Sequence, residues 1–542
     1  MAKTPHGALL LPILLLSAGA PQGSRVPEAH AILNAKIVVG DGSTIEKGRV
    51  IVRDGRIEAV DGDTTAPPDA RIVDAAGLTV YPGFIDADAI IGITPPPIPN
   101  EGAAPDATAG AMATMREIRR KGIRPDVSAV SLLDITDEAA NPRKQAGFAL
   151  ALCSPPAAIV GGRASLAELS GNPRREVIVR ADVALAAELR PPQGEAGYPS
   201  SLMGAVAEFR QTILDGDWYR KSWKAYREHT NQMRMPPNDP LLAALEPVLD
   251  KSMPVAFDAN SPAEILRAIA VAEELGLKPW IVGGTDAWQC AAVLAQKQIP
   301  VLLSLDYGTE PKDPAESRRA ESGPGSRPRR GDSPPASAPA STPASVPAST
   351  PASSGPAESA PETKPAAWPD PDTLSARVRA DRKRRYEEKV ENAGKLVNAG
   401  VKVFLTTRGL RTAADFHAAL AKAVEKGLTR DAALAALTGG TAQLFGTQDS
   451  AGRIAAGRPA YVTIVKGNLG DKDLKVRHLF VGNKRFDYDD EGGDAGGASR
   501  PAGGRRRPPR DTKNTSGGGH DDDGAPQDDG AELPIDGKGG AR

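Results

Sequence analysis

The sequence predicts an α/β protein, with a TIM-type (β/α)8 barrel in the middle of the chain and a small β-sandwich built from both ends of the folded region. Three observations predict it. Apolar, strand-length runs alternate with helical patterns between residues 83 and 452, interrupted once, as parallel βα units do. Short strands with Gly and Asp turns occupy residues 31–82 and return at 453–486. Two stretches without apolar periodicity, 309–368 and 487–542, hold much of the excess of glycine and proline (56 and 49 of 542 residues). Length therefore overstates the number of packed bodies.

The N-terminal strands are Ile32–Val39, Gly48–Arg53, Arg56–Val60 and Leu78–Val80, and Asp54-Gly55 is a two-residue hairpin signal. Tyr461–Val465 and His478–Val481 form the C-terminal part. One βα unit is clear in the barrel segment. Pro254–Asp258 is a buried strand, and Ser261-Pro-Ala-Glu264 is a capping box with proline at the first helical position. The helix carries Ile265, Leu266, Ile269 and Ala272 on one face and stops at Gly276. Trp280–Val282, Pro300–Ser304 and Val401–Leu405 are further strands, and a last helix opens at Leu428–Asp431. In such a barrel the site lies at the C-terminal ends of the strands. Gly161-Gly162-Arg163 reads as a turn after a strand around Cys153, and Gly197–Gly204 as a loop before a helix with Val206, Phe209 and Ile213 on its inner face.

Composition excludes several classes. Lys and Arg number 67 against 68 Asp and Glu, so a general nucleic-acid binder is not expected. Two cysteines, Cys153 and Cys290, support neither a disulfide framework nor a thiolate zinc site. Residues 1–30 read as a signal peptide and leader, from Lys3, the apolar run Ala8–Leu16 and the small-residue pattern Ala18-Gly-Ala20. This predicts export, periplasmic or extracellular, with no membrane association after cleavage, because the run is too short to span. Residues 309–368 form a Pro/Ala/Ser-rich linker with four-residue units starting at Pro335, Pro339, Pro343, Pro347 and Pro351. Residues 487–542 form a polar tail with Arg505–Arg507 and Asp521–Asp523. The folded segments are then 31–82, 83–308, 369–452 and 453–486.

Several stretches carry a family likeness. Asn34-Ala-Lys-Ile-Val, Asp54-Gly-Arg-Ile-Glu-Ala-Val60 and Val73-Asp-Ala-Ala-Gly-Leu-Thr-Val-Tyr-Pro-Gly-Phe-Ile-Asp-Ala87 open the folded part. Thr429–Thr438, Gly452-Arg-Ile-Ala-Ala-Gly-Arg458 and Val476–Lys484 close it. Together they resemble the amidohydrolase superfamily, particularly its imidazolonepropionase-like metal-dependent hydrolases. The resemblance implies a metal-bearing barrel, zinc or a similar ion, and hydrolysis of non-peptide C–N bonds such as cyclic amides. It also implies a His-x-His pair, two further histidines and a terminal aspartate as ligands and base. Here Asp88 and Ile90 stand in place of the pair, after Asp86. Asp258 and Gly283 stand for the other histidines, and Arg408 for the aspartate. None of the six histidines, His6, His30, His229, His417, His478 and His520, falls at a ligand position of that pattern.

The residues expected at the former active-site mouth are thus Asp86, Asp88, Ile90, Asp258, Gly283, Asp286 and Arg408, with no metal ligand set and no cofactor. Asp88, Asp258 and Arg408 would form a charge-paired plug, the guanidinium standing in for a metal's positive charge. An alternative has Asp86, Asp88 and Asp258 holding a hard cation such as Ca2+ or Mg2+, for a hydrolase using Asp88 and Asp258. Two functional readings stay open: a superfamily hydrolase by resemblance, or a noncatalytic protein. The second would bind a small molecule at the mouth or act as scaffold partner of an intact amidohydrolase, and a homo-oligomer fits either reading.

Overall fold

The computed structural model describes residues 28–93, 122–156, 158–191, 199–311 and 376–488. Nearly all of the expected leader, of the Pro/Ala/Ser-rich linker and of the tail lies outside the described residues, and the leader's last residues, Ala29 and His30, belong to the first strand.

Asp54 and Gly55 both take positive φ, 50° and 73°, so the chain reverses in two residues between β2 (Thr44–Arg53) and β3 (Arg56–Asp61). β1 (Ala29–Val38) pairs antiparallel with β2 and parallel with β4 (Ala70–Asp74) and β5 (Thr79–Pro82). β5 pairs antiparallel with β14 (Tyr461–Lys466), and β15 (Lys475–Val481) and β16 (Lys484–Asp487) follow it. Both ends of the folded chain therefore share one sheet, in the order β16-β15-β14-β5-β1-β2-β3, with β4 also on β1. The expected sandwich is thus a single sheet with its own core of Ile32, Ile37, Val50, Ile57, Val462, Ile464 and Phe480. Its far strand returns to the chain before β14: the Ile57 N–H donates to Arg458 O at 2.8 Å and the Ala460 N–H to Gly55 O at 2.8 Å. His30, expected ahead of the first strand, lies within β1, buried, its ring edge-on to Phe480 at 5.5 Å.

The second sheet has eight strands in chain order: β6 (Phe84–Ala89), β7 (Phe148–Cys153), β8 (Val160–Glu168), β9 (Ile178–Ala187), β10 (Val255–Ala259), β11 (Pro279–Gly283), β12 (Val301–Ser304) and β13 (Val403–Thr406). β8 runs antiparallel to both neighbours, and every other adjacent pair is parallel. This corrects the all-parallel expectation. The link from β7 to β8 spans only residues 154–159, too short for a crossover, so the strand must return antiparallel. Gly161 and Gly162 lie inside β8 and make no turn. Their backbone is closely approached: a Cβ at Gly161 would sit 3.0 Å from Ala186 O, and one at Gly162 2.5 Å from Val127 O.

The longer helices are α1 (Asp137–Gln145), α2 (Leu202–Glu228), α3 (Pro262–Glu274), α4 (Ala376–Asn398), α5 (Ala413–Glu425) and α6 (Arg430–Leu437). In α3 the Ser261–Glu264 capping box forms, and Ile265, Ala268, Ile269 and Ala272 are buried; Leu266 faces out instead of in. Phe148 packs edge-on against Phe84 and Phe416, at 6.0 and 5.0 Å between ring centres. The small sheet is fastened to the larger one by Tyr461 Oη donating to Glu168 Oε2 at 3.1 Å and Thr463 Oγ1 to Gly147 O at 2.8 Å. His417 is buried in α5, and burial pushes its pKa down to about 4, so the ring is neutral at pH 7. No helix among the described residues is long and apolar enough to cross a membrane.

Candidate functional site

β6 reads Phe84-Ile-Asp-Ala-Asp-Ala89, and strand alternation puts Asp86 and Asp88 on one face, both buried. Asp86 accepts from the Thr407 N–H at 3.0 Å, from the Thr407 hydroxyl at 2.5 Å and from Arg143 Nε of α1 at 3.3 Å. Asp88 accepts from Ser154 Oγ at 2.5 Å and from Arg408 Nη1 at 3.0 Å. The other arm of the guanidinium, Nη2, donates to Asp258 Oδ2 on β10 at 2.6 Å. Arg408 is also fixed by its main chain. Its N–H donates to Thr406 Oγ1 at 3.0 Å, and its carbonyl accepts from Ser304 Oγ at 2.7 Å. The Thr406 hydroxyl in turn donates to the Asp88 carbonyl, linking β13 to β6.

Burial raises the pKa of Asp88 to about 6, against the pull of Arg408 and Ser154 and with the push of Asp86 and Asp258. Burial opposes the charge on Arg408, yet Asp88 and Asp258 together hold it above its ordinary, already high value. Cys153, at the end of β7, is pushed up to about 12 by burial, with Asp86 adding to the shift, so it is an inert thiol at this site. Glu188 pairs with Arg190 beside Asp258, and burial raises its carboxyl too. Three aspartates face two guanidiniums, Arg143 and Arg408. One proton on Asp88 neutralises that set.

The remaining expected residues have other roles. Ile90 is 53% exposed, turned away from the network. Gly283 takes φ 90° opposite Ala259, and a Cβ there would meet Asn260 Oδ1 at 2.4 Å. Asn260 donates to Asp258 Oδ1 at 3.1 Å and accepts from Thr285 Oγ1 at 2.9 Å. Asp286 precedes a 3-10 turn, and its N–H donates to Asn260 O at 3.0 Å. Asn392 of α4 holds this loop, donating to Gly284 O and Thr285 O and accepting from the Trp288 N–H, each at 2.9 Å. Gly283→Ala therefore displaces Asn260 from Asp258. We expect a loss of about 1–3 kcal/mol in urea denaturation, from strain at a positive φ.

Sequence reasoning missed Arg143, Ser154, Thr406, Thr407, Asn260 and Ser304. Thr406, Thr407, Ser154 and Ser304 are polar residues at the ends of apolar strand runs, which is the signal that was there to use. Arg143 has none, since it stands in a helix of mixed charge.

Residues 366–494 match a sequence model of the amidohydrolase family. Over that stretch the chain is similar to the amidohydrolase family. The fold likeness extends well beyond that stretch. An amidohydrolase from Thermotoga maritima MSB8 is 21% identical, with a TM-score of 0.58, over 84% of this chain and 98% of that one. Molinate hydrolase (15% identical, TM-score 0.43, 86% and 96% covered) and an ochratoxinase from A. niger (14%, 0.40, 87% and 99%) are more distant. A comparison with curated protein sequences finds no match. The metal that the resemblance implies does not fit the residues present in this chain. A guanidinium occupies the interval between Asp88 and Asp258, and among the described residues no group of three or more His, Cys, Asp or Glu is placed to hold a metal ion. A cation in that space would face Arg408 directly.

Proposed function

We propose that this is an exported, noncatalytic amidohydrolase-superfamily protein, in which a charge-paired arginine occupies the place of the metal. The observation that carries the reading is the two-armed contact of Arg408 with Asp88 and Asp258. Metal-assisted amide hydrolysis needs a cation with an open position and a base to take a proton from water. Asp88 and Asp258, the carboxylates nearest such a position, are each engaged by Arg408 and by a second donor, Ser154 or Asn260. The same contact speaks against a hard-cation hydrolase using Asp88 and Asp258. In this reading the mouth serves to bind a small molecule or an intact amidohydrolase partner, and the second sheet closes as a barrel. Closure is supported by the Thr406 and Thr407 contacts to β6.

Metal analysis of the purified full chain tests this. We expect zinc, manganese, nickel and calcium well below stoichiometry, and no hydrolysis of cyclic amides that rises with added metal. Stoichiometric metal that is lost in Asp88→Ala or Asp258→Ala protein would overturn the reading in favour of a hydrolase.

A further inference from the structure

Helix α2 is much longer than the strand it covers, and one side of it is left facing solvent. Its inner side, with Ala205, Phe209, Ile213 and Tyr219, is buried, Phe209 lying 5.5 Å from the ring of Phe257 on β10. On the opposite side Met203, Ala207, Leu214 and Trp218 recur in steps of four, seven and four residues and so form one stripe. Met203 is 83% exposed, Leu214 54% and Trp218 63%. From Trp218 to Met235 the chain carries Arg220, Lys221, Lys224, Arg227 and Arg234 against Glu228 alone. Asp217 binds Arg220 and Lys221, offsetting one of those charges. Met233 and Met235 in the same stretch are exposed as well.

We propose that this face of α2 docks on an anionic phospholipid surface. Trp218, Leu214 and Met203 would enter the headgroup boundary, while Lys221 and Lys224 meet lipid phosphates. The cations select a negatively charged surface. The large apolar side chains select lipid over a soluble polyanion, which would leave them in water. Such a helix lies on the bilayer and does not cross it, in keeping with the hydropathy of the described helices. The proposal departs from the expectation of no membrane association.

Cosedimentation of the full chain with vesicles tests it, comparing equal parts phosphatidylglycerol and phosphatidylcholine with phosphatidylcholine alone. Binding should be at least about tenfold stronger on the anionic vesicles and should weaken as salt rises above about 0.1 M. Lys221→Glu/Lys224→Glu should lower it at least about tenfold, and Leu214→Gln/Trp218→Gln about fivefold or more, with melting curves unchanged. Absence of sedimentation, or binding that neither variant changes, overturns the proposal. Loss with the charge reversal but not with Leu214→Gln/Trp218→Gln, together with equal capture by inorganic polyphosphate, also overturns it and reassigns the patch to a soluble polyanion.

Discussion

Arg408→Met is expected to lower stability by about 3–5 kcal/mol at about pH 8, and by clearly less at about pH 5. The variant keeps the length of the side chain and removes the charge, which leaves buried Asp88 and partly buried Asp258 without their shared partner. The pH dependence follows from the direction of the Asp88 shift. Its folded-state pKa, about 6, lies above its unfolded value. Between those two values the folded state holds more protons than the unfolded state. The stability this contributes is present at low pH and is lost as pH rises through the folded pKa. Removing Arg408 removes the strongest force lowering that pKa, so the loss shifts to higher pH and deepens. Asp86, Asp258, Arg143, Ser154 and Cys153 surround the group and are unchanged in the variant. Urea denaturation at the two pH values checks the result. An equal loss at both would show that Arg408 acts through packing of its stem and not through charge.

Asp86→Ala is expected to cost about 3 kcal/mol or more and to loosen one seam of the larger sheet selectively. The carboxylate is fully buried and serves Thr407 through both its N–H and its hydroxyl, and Arg143 through Nε. Alanine leaves each of those donors without its acceptor, and the guanidinium of Arg143 is the costliest. Among the described residues no backbone ladder joins β13 to β6, so these side-chain contacts, with Thr406 on the Asp88 carbonyl, tie the two strands. Hydrogen exchange should therefore show protection falling in β6 and β13, while β10 and β11, joined by a five-residue parallel ladder, keep theirs. Uniform loss across the sheet would mean that Asp86 supports the core as a whole and not that seam.

Local chemistry by itself determined much of this protein. The Asp54-Gly55 hairpin, the capping box at Ser261 and the strand runs at Pro254, Trp280, Pro300, Val401 and Tyr461 are legible because each depends on neighbours a few residues away. The resemblance to the amidohydrolase superfamily was legible for a related reason, since the motifs that carry it are contiguous stretches at both ends of the folded region. Through the resemblance, Asp86, Asp88, Asp258 and Arg408 were also marked as charged groups at the mouth. Only the tertiary structure decided that β8 turns back, because that depends on the length of one link and on the close approach of Val127 and Ala186 to glycines resembling a turn. The sequence placed the two terminal strand groups in one small unit, and the structure decided that they join as a single sheet through β5 and β14, which are far apart in sequence. It also decided which donors meet each carboxylate. Arg143, Ser154, Thr407 and Asn260 come from separate elements, and a buried charge takes its pKa and its stability from those partners, whose identity depends on distances in space.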